Sequence, residues 1–161
     1  MPPLSPYSPP PTSLSIAQIL ASARTHLTRL TPAAAAAELA QYHSHLQSQP
    51  PSQTPPPPPV LLIDIRPAAQ RATEGYIAGA TVIERNVLEW RLDPRSDARL
   101  EAAGGRYDAR AIVICQEGYT SSLAARELQR LGLARATDVE GGYLNFRQCI
   151  KALQAVAYTP M

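Results

Sequence analysis

Apolar residues at Ile16, Leu20, Ala23, Leu27 and Leu30 recur at the spacing of one helix face, with Gln18, Ser22, Arg24 and Thr25 between them. That pattern predicts an amphipathic helix over 14–30. Thr31-Pro32 reads as a helix start with proline at the first helical position, and the alanine-rich run Ala33 to Gln47 continues it. Val60 to Ile65 is a continuous apolar run, which suits a strand covered on both faces of a parallel sheet. A short helix is expected over Pro67 to Glu74 and a second strand over Ala80 to Ile83. Ala111 to Ile114 is a third strand, Ser121 to Leu131 a helix stopped by Gly132, and Ala136 to Val139 a fourth strand. Gly141-Gly142 then turns the chain into a last helix, Leu144 to Val156. Strands alternating with helices predict an α/β domain, a central, mostly parallel sheet with helices on both faces. The stretch Glu84 to Arg91 carries the single tryptophan, Trp90, which either overhangs a strand-end pocket or tucks into the core.

Composition divides the chain. Of 161 residues 17 are proline, and most of these fall in the first 59 positions. Residues 1–13 therefore read as a disordered Pro/Ser-rich tail and 14–30 as the amphipathic helix. Residues 31–157 form the α/β domain, interrupted by a Pro-rich insert at 48–59. The five prolines Pro55 to Pro59 predict a polyproline II rod, an exposed spacer or a ligand for an SH3-, WW- or profilin-type groove.

A net charge of +2 with no basic run gives no footprint for nucleic acid or a membrane surface, and no apolar segment approaches the ~18 residues of a membrane span. Two cysteines, Cys115 and Cys149, make no disulfide framework, so a reducing cytoplasmic compartment is expected. The absence of acidic residues before Glu38, with Arg24 and Arg29, makes a mitochondrial presequence the alternative. No metal site is expected: there is no His/Cys cluster, and His43 and His45 at i, i+2 lie on different helix faces. Cys149, with Phe146, Ile150 and Leu153 at helical spacing, reads as a core residue. A redox pair with Cys115 needs their Cα atoms within ~7 Å.

The chemistry concentrates in Cys115-Gln116-Glu117-Gly118-Tyr119-Thr120-Ser121, where an apolar strand delivers a cysteine, a glycine-containing loop follows and a helix opens at a hydroxyl cluster. Loop N–H groups and a helix N-terminus together favour an anion, which makes Cys115 a candidate thiolate nucleophile. This stretch, with Ala124-Ala125 one turn on, resembles the active-site loop of the rhodanese-like sulfurtransferases. Three other segments resemble that family's motifs in the same order. Leu62-Ile63-Asp64-Ile65-Arg66 is similar to its Asp-x-Arg strand end, Gly75-Tyr76-Ile77-Ala78-Gly79-Ala80 to its Gly-His-Ile-Pro-Gly-Ala turn, and Gly141-Gly142-Tyr143-Leu144-Asn145-Phe146 to its closing Gly-Gly-x-x-x-Trp signature.

The resemblance implies a three-layer rhodanese-like fold and a sulfurtransferase. Such an enzyme moves sulfane sulfur from thiosulfate or 3-mercaptopyruvate to cyanide, a thiol or a protein cysteine through a persulfide on Cys115, with no metal or organic cofactor. Donor contacts are expected from Gln116, Glu117, Gly118, Tyr119, Thr120 and Ser121. Arg66, Arg85 and Arg91 are expected to supply the cations that the loop lacks. Glu117 is a departure: facing the pocket, it disfavours a thiolate and repels a dianionic donor. The alternative function is a non-catalytic binding or regulatory module, or a protein sulfur carrier whose partner docks on the polyproline. Phosphatase chemistry on a Cys-x5-Arg loop is not expected, because Ser121 stands where the phosphate-gripping arginine belongs and the next arginine is Arg126.

Overall fold

The computed structural model describes residues 5–50, 52 and 54–157, with side chains to residue 151. The first four residues of the expected tail and positions 51 and 53 of the Pro-rich insert lie outside the described residues. Four parallel strands, β1 (Val60–Asp64), β2 (Thr81–Val82), β3 (Arg110–Ile114) and β4 (Thr137–Asp138), form one sheet in the order β2-β1-β3-β4. The helices are α1 (Ile16–Thr25), α2 (Pro32–Ser48), α3 (Ala68–Glu74), α4 (Leu88–Leu92), α5 (Thr120–Arg130) and α6 (Gly142–Ala157).

Alternation along β3 sorts the core into two halves. Ala111, Val113 and Cys115 pack with Ala124, Ala125 and Leu128 of α5 and with Leu88 and Leu92 of α4. Ile112 and Ile114 face the other way, against Ala35 of α2 and Tyr143 and Phe146 of α6. The result is the three-layer α/β arrangement, and it explains the apolar runs: β1 and β3 have no solvent face. A further layer is added where α1 packs on α5.

Local chemistry sets the helix ends. Ser15 and Gln18 form a reciprocal capping box at the start of α1, and the Thr31 hydroxyl caps α2. Past α5, Gly132 at φ +105° carries the left-handed turn expected of it. The helix expected over 14–30 stops at Thr25, with His26 as its cap. Beyond it the chain is drawn into a parallel bridge at the sheet edge, where Leu30 N–H donates to the Asp138 carbonyl at 3.0 Å and Glu140 N–H to the Leu30 carbonyl at 2.8 Å. Trp90 takes neither expected place. It is 63% exposed on α4, because Leu88 and Leu92 occupy that short helix's buried positions.

The proline run is not a free rod either. Pro57 to Pro59 are half-buried, Arg106 Nη1 donates to the Pro56 carbonyl at 2.7 Å, and the Pro59 carbonyl accepts from Arg110 N–H at 2.8 Å as the chain enters β1. Among the described residues no helix is long and apolar enough to cross a membrane, and no group of three or more His, Cys, Asp or Glu could hold a metal ion.

Candidate active site

The loop Cys115–Thr120 leaves the C-terminal end of β3 and enters α5, the place where parallel α/β sheets put their chemistry. Cys115 is 5% exposed at the base of a cavity of about 260 Å³. Gln116, Glu117, Tyr119 and Thr120 line its rim, with Ile65, Arg66 and Gln70 on the β1 side. Gly118 N–H donates to Cys115 Sγ at 3.2 Å. Gly118 sits at φ +83°, and a Cβ there would lie 2.8 Å from the Gly141 backbone nitrogen, so the loop needs glycine for both conformation and space.

The loop's carbonyls are held from outside. Tyr143 N–H, in the first turn of α6, donates to the Cys115 carbonyl at 2.8 Å, and Leu144 N–H to the Gln116 carbonyl at 3.2 Å. Two arginine side chains donate to the Gly118 carbonyl. In a trans peptide the N–H points opposite to the C=O. Each anchored carbonyl therefore turns the following N–H the other way, and these are the N–H groups of Gln116, Glu117 and Tyr119. None of the three, nor Thr120 N–H, has an acceptor among the described residues. All four residues line the cavity above Cys115. The arrangement is a cradle of unpaired N–H donors on residues that share a cavity with the cysteine sulfur, suited to an anion built on or beside that sulfur.

The cations are distributed differently from the expectation. Arg66 lines the cavity but is 1% exposed and already neutralised. Its Nε and Nη2 bond Asp64 at 2.9 and 2.7 Å, Nη2 also reaches the Gly75 carbonyl at 2.9 Å, and its guanidinium lies 3.8 Å from the centre of the Tyr143 ring. One nitrogen, Nη1, reaches the site, 3.4 Å from Gln116 Oε1. Arg85 and Arg91 are not brought to the cavity: Arg85 is paired with Glu89 at 2.8 Å, and Arg91 donates to the Ala98 carbonyl at 2.6 Å. Partners on their own segment hold both: a carboxylate one helical turn on for Arg85, and a backbone carbonyl seven positions on for Arg91. Ser121 is also withdrawn, since its hydroxyl donates to the buried Asp138 at 2.8 Å. Thr120 remains at the rim, and Glu117 is exposed there with no ion pair among the described residues. Cys149 lies half-buried on α6, in the layer opposite the core half that holds Cys115.

Three contributors escaped the sequence reading: Arg24 and Arg29, which reach the loop from the N-terminal segment, and Asp138, which anchors Arg29. Asp138 did leave a signal. A carboxylate inside the apolar run Ala136 to Val139 must find a partner when that strand is buried.

The family model of the rhodanese-like domain matches residues 39–149. The chain belongs to the rhodanese-like domain family. Among solved structures, a protein of unknown function from Rhodopseudomonas palustris, described as a possible tyrosine phosphatase, is 27% identical with a TM-score of 0.67. The match covers 88% of this chain and 96% of that one. The reduced CoADR-RHD of Bacillus anthracis shares the fold at 18% identity and a TM-score of 0.52, over 82% of this chain and 19% of that one. No curated protein sequence matches.

Proposed function

We propose that this protein is a sulfurtransferase that carries sulfane sulfur on Cys115. The observation that carries the reading is the set of unpaired N–H donors on the residues that share the Cys115 cavity, a cradle suited to a persulfide anion one atom longer than the cysteine. The Cys115 thiolate attacks the outer sulfur of the donor. With thiosulfate the S–S bond breaks and sulfite departs with the electron pair. With 3-mercaptopyruvate the C–S bond breaks, and the enolate left behind takes a proton to become pyruvate. An acceptor thiolate or cyanide then attacks the terminal sulfur, the Cys115 S–S bond breaks, and the thiolate returns.

The test is the intact mass of wild type and Cys115→Ser after incubation with each donor. A gain of one sulfur on wild type alone, reversed by cyanide, is the expected result; no gain from either donor overturns the proposal and leaves a binding module.

Glu117 ranks the donors. Arg66 has no charge left to offer, so the formal charge at the rim is the Glu117 carboxylate. A dianion such as thiosulfate is repelled more than the monoanion 3-mercaptopyruvate. Glu117→Gln should raise the thiosulfate rate by about threefold to tenfold at low ionic strength, and salt should shrink that gain. Equal effects on both donors would place the carboxylate out of reach of the substrate.

The structural neighbour described as a possible tyrosine phosphatase brings a second reading, phosphate-ester hydrolysis. It needs a bidentate guanidinium over the nucleophile. At the sixth position after the cysteine stands Ser121, turned inward to Asp138, and Arg126 borders a different cavity. An aryl phosphate should therefore be hydrolysed no faster by wild type than by Cys115→Ser.

A further inference from the structure

Arg24 and Arg29 lie before the span matched by the family model, yet both end at the active-site loop. Arg24 Nη2 donates to the Gly118 carbonyl at 2.8 Å while its Nε reaches Ser122 Oγ at 3.1 Å. Arg29 Nη2 donates to the same carbonyl at 3.0 Å, and its Nε and Nη2 grip Asp138 at 2.9 and 3.1 Å. Asp138 is fully buried, and its Oδ2 also accepts from Ser121 and Ser122 at 2.8 and 2.7 Å, which ties the first turn of α5 to the same hub. The Arg24 guanidinium also lies 5.8 Å from the centre of the Tyr119 ring. One loop carbonyl thus receives two charge-assisted donors, at a point where the neighbouring carbonyls rely on the first turn of α6.

We propose that Arg24 and Arg29 are positioning residues for the chemistry at Cys115. They hold the Gly118 carbonyl outward and so keep the Tyr119 N–H aimed into the anion cradle. The inference rests on the persulfide reading of the site for its catalytic consequence, and on peptide planarity for its geometry. Without the arginines, the Gly118–Tyr119 peptide has one flank at a glycine and a carbonyl with no backbone donor among the described residues. Rotation of that peptide would present a carbonyl oxygen to the bound sulfur anion in place of an N–H. The segment Ile16 to Leu30 is then a working part of the site.

The two arginines separate structure from positioning. Arg29 also neutralises a buried carboxylate, so its loss disturbs folding. Arg24 has no carboxylate partner among the described residues, so Arg24→Ala is the cleaner variant, with Arg24→Lys and Arg29→Lys beside it. In the full chain, Cys115 is alkylated with anionic iodoacetate and with neutral iodoacetamide, persulfide formation from 3-mercaptopyruvate is timed by intact mass, and thermal unfolding is recorded. For Arg24→Ala the iodoacetate-to-iodoacetamide ratio should fall about fivefold and persulfide formation about tenfold, the scale of weakening one of several oxyanion-type donors. Arg24→Lys should recover part of both, since an ammonium offers charge without the fork. A ratio and a persulfide rate within about twofold of wild type in both Arg24→Ala and Arg29→Lys overturn the inference. If wild type forms no persulfide while Arg24→Ala still lowers the alkylation ratio, the sulfurtransferase reading fails and the positioning role stands.

Discussion

Asp64→Ala is expected to lower stability by about 3–5 kcal/mol and to abolish most sulfur loading at Cys115. Both partners of the Arg66–Asp64 pair are essentially inaccessible, and the carboxylate accepts from Arg66 through its backbone N–H as well as its guanidinium. Removing the carboxylate leaves a guanidinium in a layer of isoleucine, tyrosine and backbone, and a buried uncompensated charge is among the costliest defects a point change can make. Arg66 also braces the Gly75 carbonyl and reaches Gln116, so its displacement travels to the loop. The double variant Asp64→Ala/Arg66→Met removes both charges and should recover much of the lost stability, because well-packed apolar replacements of buried pairs are often close to neutral. Urea unfolding of the three proteins checks this. A single variant within about 1 kcal/mol of wild type would sink the account, since an exposed pair gives no more than that.

The same pair shows what was legible in the sequence. Asp64 and Arg66 close an apolar run at a strand end, which places them beside the site, but Arg66, expected to offer its cation to the donor, commits it to Asp64, because i, i+2 residues leaving a strand end lie within each other's reach. The strands were legible for a related reason: a sheet covered on both faces needs continuous apolar runs, and the runs at β1 and β3 are such. The end of α1 was not legible. Leu27 and Leu30 keep the helical period, but a parallel bridge with Val139, more than a hundred positions away, overrides it. A local partner decided Arg85, which meets Glu89 four positions on, and long-range partners decided Arg24 and Arg29, whose shared target is a carbonyl oxygen. Side-chain pattern is silent about a backbone acceptor, so the clamp on Gly118 became visible only with the fold. Glu117 is an intermediate case: its type raised the question of charge at the rim, and its place on the cavity wall answers it.

Gly142→Ala should cut sulfur loading by at least about a hundredfold, the scale of losing more than one oxyanion-type donor. Gly142 opens α6 at φ +61°, and a Cβ built there would lie 2.5 Å from the Cys115 carbonyl oxygen and 2.7 Å from the Gln116 carbonyl. Those are backbone atoms, with no flexible side chain to yield, and they are the two carbonyls that α6 holds through Tyr143 and Leu144. Relief therefore requires the helix start and the loop to part, which releases the Gln116 and Glu117 N–H groups from the cradle. Gly79→Ala is the matched comparison. Gly79 sits at φ +78°, also left-handed, but nothing lies within 4 Å of its would-be Cβ. It should show the strain alone, about 1–3 kcal/mol, with sulfur loading per folded molecule unchanged. Loading rates measured beside urea midpoints distinguish the two. If Gly142→Ala loses only stability, as Gly79→Ala does, the contact between the α6 start and the loop is packing without consequence for the cradle. A selective loss of loading would instead fix the reason for the glycine that opens α6: its face of that turn lies against the active-site loop, and no side chain fits between them.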